Sequence, residues 1–152
     1  MNPQAAQTYL RSKVLTATPE QLQLMLFDGA IRFADQGKAA LVKKDFEAGH
    51  RCLTRAQEIV NQLNATLRHD IYPDLCAKLA SLYNFAHRNL VQANVKHDPA
   101  LVDEALKVIR YQRETWVMLL DKLNQAKVAE AVKRIDVPQA GARMEATLSM
   151  EG

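Results

Sequence analysis

Two short sequence pairs, Thr18-Pro19 and Asp98-Pro99, constrain the fold most strongly because each predicts the start of a helix. A Thr or Asp side chain can cap free backbone N–H groups, and proline is tolerated at the first helical position. Gln21 completes a capping box with Thr18, and Asp45 offers another cap. The helical pattern ends at His69–Pro73 and resumes near Asp74. We therefore predict long helices over about 18–43, 45–68, 74–95 and 98–125.

Four long helices joined by short turns favour an all-α fold, an antiparallel up-down four-helix bundle. The chain has 152 residues, 48% of them hydrophobic, which is enough for one core. We predict a bundle domain over 18–125. Residues 1–17 have few apolar side chains for a strong helix, and we expect a short strap packed on the bundle. In 126–152, the segment AKVAEAVKR allows the last helix to extend, or a short extra helix, before a flexible tail.

The first predicted helix has two apolar faces. At about 100° per residue, one arc is the expected core stripe, and a second arc lies about 120–200° further round. The core stripe contains Leu22, Leu26, Gly29, Phe33, Gly37 and Ala40, and the second stripe contains Leu24, Phe27, Ile31 and Ala34. Either the strap covers the second stripe, or the stripe lines a groove for an apolar partner. We expect Gly29 and Gly37 to allow close approach of a neighbouring helix.

The third predicted helix shows a weaker form of the same pattern. Its expected core positions are Leu75, Leu79, Leu82, Ala86, Leu90 and Ala93. Beside them lies a shelf of small, apolar and hydrogen-bonding residues, namely Cys76, Ala80, Tyr83, His87, Val91 and Asn94. This shelf suits a peptide helix lying in a groove, and it is equally consistent with a boundary between core and solvent.

The sequence offers no catalytic, metal or cofactor site. The four histidines lack metal-binding spacing, and no phosphate-binding or nucleophile motif occurs. A formal charge of +3 without basic runs argues against nucleic acid, and no apolar run predicts stable membrane insertion. With two separated cysteines and no signal pattern, we expect a cytoplasmic protein. His87 lies in mid-helix as in histidine phosphotransfer modules, but the Lys-Gly pair of those modules is replaced by Arg88-Asn89.

Two stretches, VLTATPEQLQLMLFDGAI at 14–31 and LYNFAHRNLVQAN at 82–94, together resemble the FliS family of flagellin export chaperones. The spacing to Trp116 fits as well, and the resemblance covers about 9–124. It implies a cytoplasmic chaperone that binds the disordered C-terminal segment of flagellin, prevents premature polymerisation and keeps flagellin competent for flagellar type III secretion. Ala86, where many relatives carry a larger apolar group, and the long tail depart from the family pattern.

The resemblance also implies a set of flagellin-binding residues. In the family an N-terminal segment with a tyrosine packs on the bundle and rearranges when flagellin binds, and Tyr9 and Leu10 match it. The full predicted set is Tyr9, Leu10, Leu15, Leu24, Phe27, Ile31, Ala80, Tyr83, His87, Val91 and Asn94. The export gate and other flagellar regulators are further expected partners. The alternative function from the residues is a structural bundle that self-associates through the second stripe.

Overall fold

The fold is all-α, as predicted. The structure, a computed structural model, describes residues 2–136, and this part contains helices and no strand. The helices are α1 (Pro3–Thr16), α2 (Pro19–Val42), α3 (Phe46–Ala65), α4 (Pro73–Lys96) and α5 (Pro99–Asp136). The described residues divide into two compact units, one ending at Thr115 and a second beginning at Trp116. Helix α5 continues past the predicted bundle boundary at 125 to Asp136, and the predicted flexible tail lies outside the described residues.

The predicted caps are present. The Thr18 hydroxyl accepts from the Gln21 backbone N–H at 3.2 Å, while the Gln21 side chain accepts from the Thr18 N–H at 3.0 Å. The Asp45 carboxylate accepts from the Ala48 N–H at 3.2 Å. These bonds satisfy donors that have no partner inside a helix. The starts of α2 and α3 therefore follow directly from local sequence.

Side-chain pairs show that α3 is antiparallel to α4 and that α2 is antiparallel to the first part of α5. Between α3 and α4, the Asn64 amide donates to the Asn84 side chain at 3.0 Å, and Asn94 Nδ2 lies 2.8 Å from His50 Nδ1. Residue numbers rise on one helix as they fall on the other. Ion pairs between α2 and the first part of α5 follow the same order, and they join Lys38 to Asp103, Asp35 to Arg110 and Asp28 to Arg113.

The core of the first unit follows one face of each helix. On α2 the buried residues are Phe27, Gly29, Ala30, Ala34, Gly37 and Leu41. Most of them lie near 100° from Leu22 on the helical wheel. This direction is between the core stripe and the second stripe predicted for this helix. The two-stripe prediction was therefore wrong. Phe27 is only 2% exposed and Ala34 is fully buried, so these two members of the predicted second stripe belong to the core.

Gly37 allows α2 and α3 to approach closely, which confirms the packing role expected for it. A Cβ atom at Gly37 would lie 2.6 Å from Leu53 Cδ2 and 2.7 Å from Leu53 Cγ. A Cβ at Gly29 would lie 3.3 Å from Ile59 Cδ1. Leu53 is fully buried and cannot easily move, whereas Ile59 is only partly buried and its terminal methyl group can shift. The two glycines therefore differ in tolerance.

Replacing the two glycines by alanine is expected to change stability in opposite directions. Gly37→Ala should lower the free energy of unfolding by about 1 kcal/mol, since overpacking outweighs the gain of about 1 kcal/mol in helix propensity. Gly29→Ala should keep most of that gain and therefore raise the free energy of unfolding. Urea unfolding of both variants and the parent chain measures the difference. Two stabilising substitutions would show that α2 and α3 are not packed as described.

On α4 the observed core face differs from the predicted one near the start of the helix. Cys76 is 5% exposed and Tyr83 is 3% exposed, so both lie in the core and not on a surface shelf. Leu75, predicted to be buried, is 55% exposed. The Tyr83 ring lies against Phe27, with ring centroids 6.5 Å apart. The later positions Ala86, Leu90 and Ala93 are buried as predicted.

Burial raises the pKa of Tyr83 to about 12. An unfolded tyrosine titrates near pH 10, so between about pH 10 and pH 12 only the unfolded chain releases this proton. We therefore expect the stability from this group to fall by about 1.4 kcal/mol per pH unit in that window. Urea unfolding of the parent and of Tyr83→Phe, each at pH 9 and pH 11, isolates the contribution of the Tyr83 phenol to this loss of stability. Identical losses in the two chains would contradict the burial of the phenol.

The N-terminal segment is a helix and not an irregular strap. Asn2 caps α1 through its side chain, which accepts from the Gln4 backbone N–H at 3.0 Å, and Pro3 takes the first helical position. This is the same cap-and-proline device that starts α2. No residue of α1 is buried, however, so the helix lies on the surface of the unit and contributes little to its core.

Candidate functional site

The surface of the first unit contains an apolar groove of about 600 Å³. It lies in the crease between α2 and α3, and α1 forms its third side. Its lining is mainly apolar, with a few amides and one guanidinium. The lining residues are Leu10, Val14, Pro19, Leu22, Gln23, Met25, Leu26, Gly29, Arg32, Phe33, Ile59, Gln62 and Thr66.

The α2 wall of the groove is formed by one flank of the broad apolar face of that helix. Leu22, Leu26 and Phe33 lie within about 40° of each other on the wheel, and each is only partly buried. Because the core-facing row of α2 is filled by Ala30, Ala34, Gly37 and Leu41, these large side chains are left at the edge. They therefore leave apolar surface that the bundle does not bury and that a partner can contact.

The α3 wall is a row of residues at helical spacing that faces the same crease. Ile59, Gln62 and Thr66 line the groove. Arg55 lies about one turn before Ile59 on α3, next to the groove and outside its lining. The buried row of α3, which includes Leu53, Val60 and Leu63, points into the core instead. The two walls thus differ in polarity, since α2 provides most of the apolar surface and α3 provides amide and hydroxyl groups.

Helix α1 lies over the groove as a loosely held cover. Its side chains Leu10 and Val14 line the groove, yet they remain 49% and 41% exposed. Only Ala17 and Thr18 separate α1 from α2, and both have extended backbone conformations. Because the link is short and extended and the helix before it is little buried, the link is suited to act as a hinge. We call α1 the cover helix from here on.

At one end of the groove two cations lie over the same aromatic ring. The guanidinium carbons of Arg32 and Arg55 are each 5.3 Å from the centroid of the Phe33 ring. This distance is within the range of a cation–π interaction. Both side chains are exposed. The groove therefore combines an apolar floor with a positively charged end.

The structure brings only part of the predicted binding set to this groove. Leu10 lines it, whereas Tyr9 and Leu15 are on the cover helix at 65% and 75% exposure and are not part of the lining. Phe27 and Tyr83 lie in the core and offer no surface to a partner. The prediction that Phe27 and Tyr83 bind flagellin at the surface was therefore wrong, because both side chains are buried.

The remaining predicted residues lie on other flanks of the unit. Leu24 and Ile31 are half-buried on the side of α2 where Asp28 and Asp35 form ion pairs with α5. The rest of the α4 shelf is half-buried, and Asn94 contacts His50 of α3 as described above. These half-buried residues are Ala80, His87, Val91 and Asn94. A binding role for them stays a prediction.

Several groove residues were recognised as apolar in the sequence but were assigned to the core. The row of small residues Ala30, Ala34 and Gly37 is the signal that could have corrected this, since small side chains occur where helices approach most closely. Had that row been taken as the centre of the buried face, Leu22, Leu26 and Phe33 would have fallen on its exposed flank. Ile59 and Arg55 had no comparable signal, because their role depends on which side of α3 meets α2.

Features of other protein classes are absent from the part of the chain that the structure describes. Within residues 2–136 no helix is long and apolar enough to span a membrane. The same residues contain no cluster of His, Cys, Asp and Glu side chains that could hold a metal ion. Cys52 and Cys76 are free thiols. The groove is thus the feature from which a function is best argued.

Comparison with known proteins gives one consistent family. The family model described as flagellar protein FliS matches residues 1–123. The chain is 36% identical over 115 residues to the flagellar secretion chaperone FliS of Bacillus subtilis, covering 76% of this chain and 84% of the relative. It is 29% identical over 119 residues to the protein of the same name from Vibrio cholerae, covering 78% and 88%.

The fold has a counterpart among solved structures. A crystal structure described as a flagellar chaperone from bacteria matches with a TM-score of 0.64 at 20% sequence identity. The match covers 78% of this chain and 97% of the other. At this identity the likeness concerns the fold, and it agrees with an all-α bundle.

Proposed function

The chain belongs to the FliS family of flagellar secretion chaperones, and on this basis we propose that its client is flagellin. In this proposal the chain binds the disordered C-terminal segment of flagellin in the cytoplasm, prevents premature polymerisation and keeps the subunit competent for flagellar type III secretion. We refer to this client peptide as the flagellin segment. The family consists of chaperones and not enzymes, which argues against the phosphotransfer alternative.

The single observation that best supports the proposal is the apolar groove beneath the cover helix. An amphipathic helix binds by laying its apolar face into such a groove, with anchors at helical spacing. Leu22, Leu26 and Phe33 provide a matching row of partly exposed apolar side chains. An apolar surface of this kind without a partner would favour aggregation, so a removable cover is consistent with a client-binding site.

Exchange between the cover helix and the client is energetically feasible. The cover helix buries none of its residues fully, so releasing it forfeits little burial, including that of Leu10 and Val14 in the groove. A disordered segment that folds on binding loses several kcal/mol, roughly 2–5, to ordering. That loss offsets part of the gain from burial and keeps the affinity moderate. Moderate affinity suits a chaperone that must later release its client for export.

Calorimetry with the full chain and a synthetic flagellin segment tests the proposal. We expect one segment to bind per chain, with a negative heat-capacity change because apolar surface is buried. In parallel, light scattering should show that a stoichiometric amount of the chain delays flagellin polymerisation. No heat of binding, together with unchanged polymerisation, would contradict the proposal. The export gate and other flagellar regulators remain further proposed partners.

A second candidate, self-association, is favoured by one observation in the second unit. Val128, Val132 and Ile135 are spaced at i, i+4 and i+7 on α5 and are 49–65% exposed. Sedimentation with and without the flagellin segment distinguishes the candidates. A constitutive dimer that ignores the segment would favour a structural bundle over a chaperone.

A further inference from the structure

The charged end of the groove indicates which chemical group a client would place there, which the apolar floor does not. Arg32 extends from α2 and Arg55 from α3, and both guanidinium groups lie over Phe33. A guanidinium held against an aromatic ring is already oriented, so it loses less conformational freedom when it binds an anion. The planar group can also bind a carboxylate through two parallel hydrogen bonds. The arrangement is therefore suited to recognising a carboxylate.

The fold leaves Arg32 without the acidic neighbours that would ordinarily pair with it. Asp28 and Asp35 lie four residues before and three residues after Arg32, the spacing of helix ion pairs. Both are taken by α5, since Arg113 binds Asp28 and Arg110 binds Asp35 at 3.0 Å. Among residues 2–136 no carboxylate lies within ion-pair distance of Arg32.

Arg55 is in a similar position on α3. Arg51, four residues earlier, is a like charge and binds Glu47 instead, at 3.6 Å. Glu58, three residues later, forms no ion pair with Arg55 within the described part of the chain. Two positive charges therefore lie 5.3 Å from the same ring at the groove end, and neither forms an ion pair with a carboxylate among residues 2–136. A client with an acidic residue at this point would complement them.

We propose that Arg32 and Arg55 together bind a carboxylate of the docked client, so that the chaperone selects a segment with an acidic residue next to its apolar anchors. This inference rests on the proposed function, because it concerns the same groove. It adds a direction to binding: the acidic residue lies at the Phe33 end, and the apolar anchors extend toward Leu22. Because both arginines are exposed, salt screens the contact.

A double-mutant cycle measured by calorimetry tests this pairing. Each Asp and Glu of the flagellin segment is changed in turn to Asn or Gln, and each peptide is titrated into the parent chain and into the double variant Arg32→Gln/Arg55→Gln. We expect one neutralised residue to weaken binding to the parent about three- to tenfold and to have little effect on the double variant. The variant Arg88→Gln/Lys78→Gln, which removes two exposed positive charges on α4, controls for the change in net charge.

The outcomes separate this inference from the function on which it rests. If the parent chain binds the segment but every neutralised peptide loses affinity equally in both chains, the carboxylate contact is overturned and the chaperone function stands. If the parent chain does not bind the segment, both fail. Raising the salt concentration should weaken binding to the parent more than to the double variant. An equal salt dependence would also count against the pairing.

Discussion

Leu26→Asp is expected to weaken binding of the flagellin segment by about 100-fold while the bundle stays folded. Leu26 lies in the middle of the α2 wall and is only partly buried by the bundle. A carboxylate at this position would be desolvated by the docked client without any partner nearby, and the client would lose an apolar anchor. Calorimetry measures the affinity, and circular dichroism checks the fold.

The matched control for this substitution is Leu75→Asp. Leu75 is 55% exposed in the first turn of α4, outside the groove, and an acidic residue is favourable at a helix N-terminus. We expect its affinity to stay within about twofold of the parent value, as for a residue outside the central contacts. Equal losses in the two variants would mean that the groove is not the docking site and that apolar surface in general attracts the segment.

Weakening the cover helix is expected to tighten binding. The double variant Leu10→Ser/Val14→Ser removes the apolar side chains that close the groove, each of which is about half buried there. If the cover must leave before the client docks, the measured affinity equals the intrinsic affinity multiplied by the fraction of chains that are open. Losing about 1 kcal/mol of burial at each of the two side chains should raise the affinity up to about 30-fold.

The opposite face of the same helix provides a control for this prediction. Tyr9 and Leu15 are the most exposed of the large apolar residues of the cover helix and do not line the groove. Tyr9→Ser/Leu15→Ser should therefore leave the affinity unchanged. A loss of affinity in this control would indicate that the cover helix contacts the client, as the family resemblance leads one to expect for Tyr9. A loss in Leu10→Ser/Val14→Ser would overturn the competing-cover account.

Local sequence signals were sufficient to predict where the helices of the bundle begin. The capping box at Thr18 and Gln21 and the cap at Asp45 depend only on residues three positions apart, so the sequence carries all the relevant information. The start of α1 follows the same rule, since Asn2-Pro3 has a cap and a proline. It was missed because the few apolar residues of this segment were given more weight than its cap.

The rotation of each helix about its axis was harder to predict. On α2 the apolar arc spans more than half the wheel, and periodicity alone cannot show which part of a broad arc faces the core. Ala30 lies at the centre of the buried face although it adds little to the hydrophobic pattern. The rotation of α2 is instead set by close packing against α3, where Gly37 contacts Leu53. That contact depends on the sequence of another helix.

The charged end of the groove could not have been found from the sequence. Arg32 and Arg55 are 23 positions apart in numbering and would each be read as solvated surface residues. Their positions over Phe33 depend on the register between α2 and α3, and the lack of an acidic partner for Arg32 depends on α5. Sites made by three helices in this way require the tertiary structure.

Methyl NMR of the full chain during titration with the flagellin segment tests the central claim most directly. The claim is that the client docks in the groove between α2 and α3 after the cover helix leaves. It predicts the largest shifts at the methyl groups of Leu22, Leu26 and Ile59, with smaller shifts at the buried methyl groups of Leu63 and Leu106. Unchanged groove methyl groups, with the main shifts at Val91 on the α4 shelf, would contradict it.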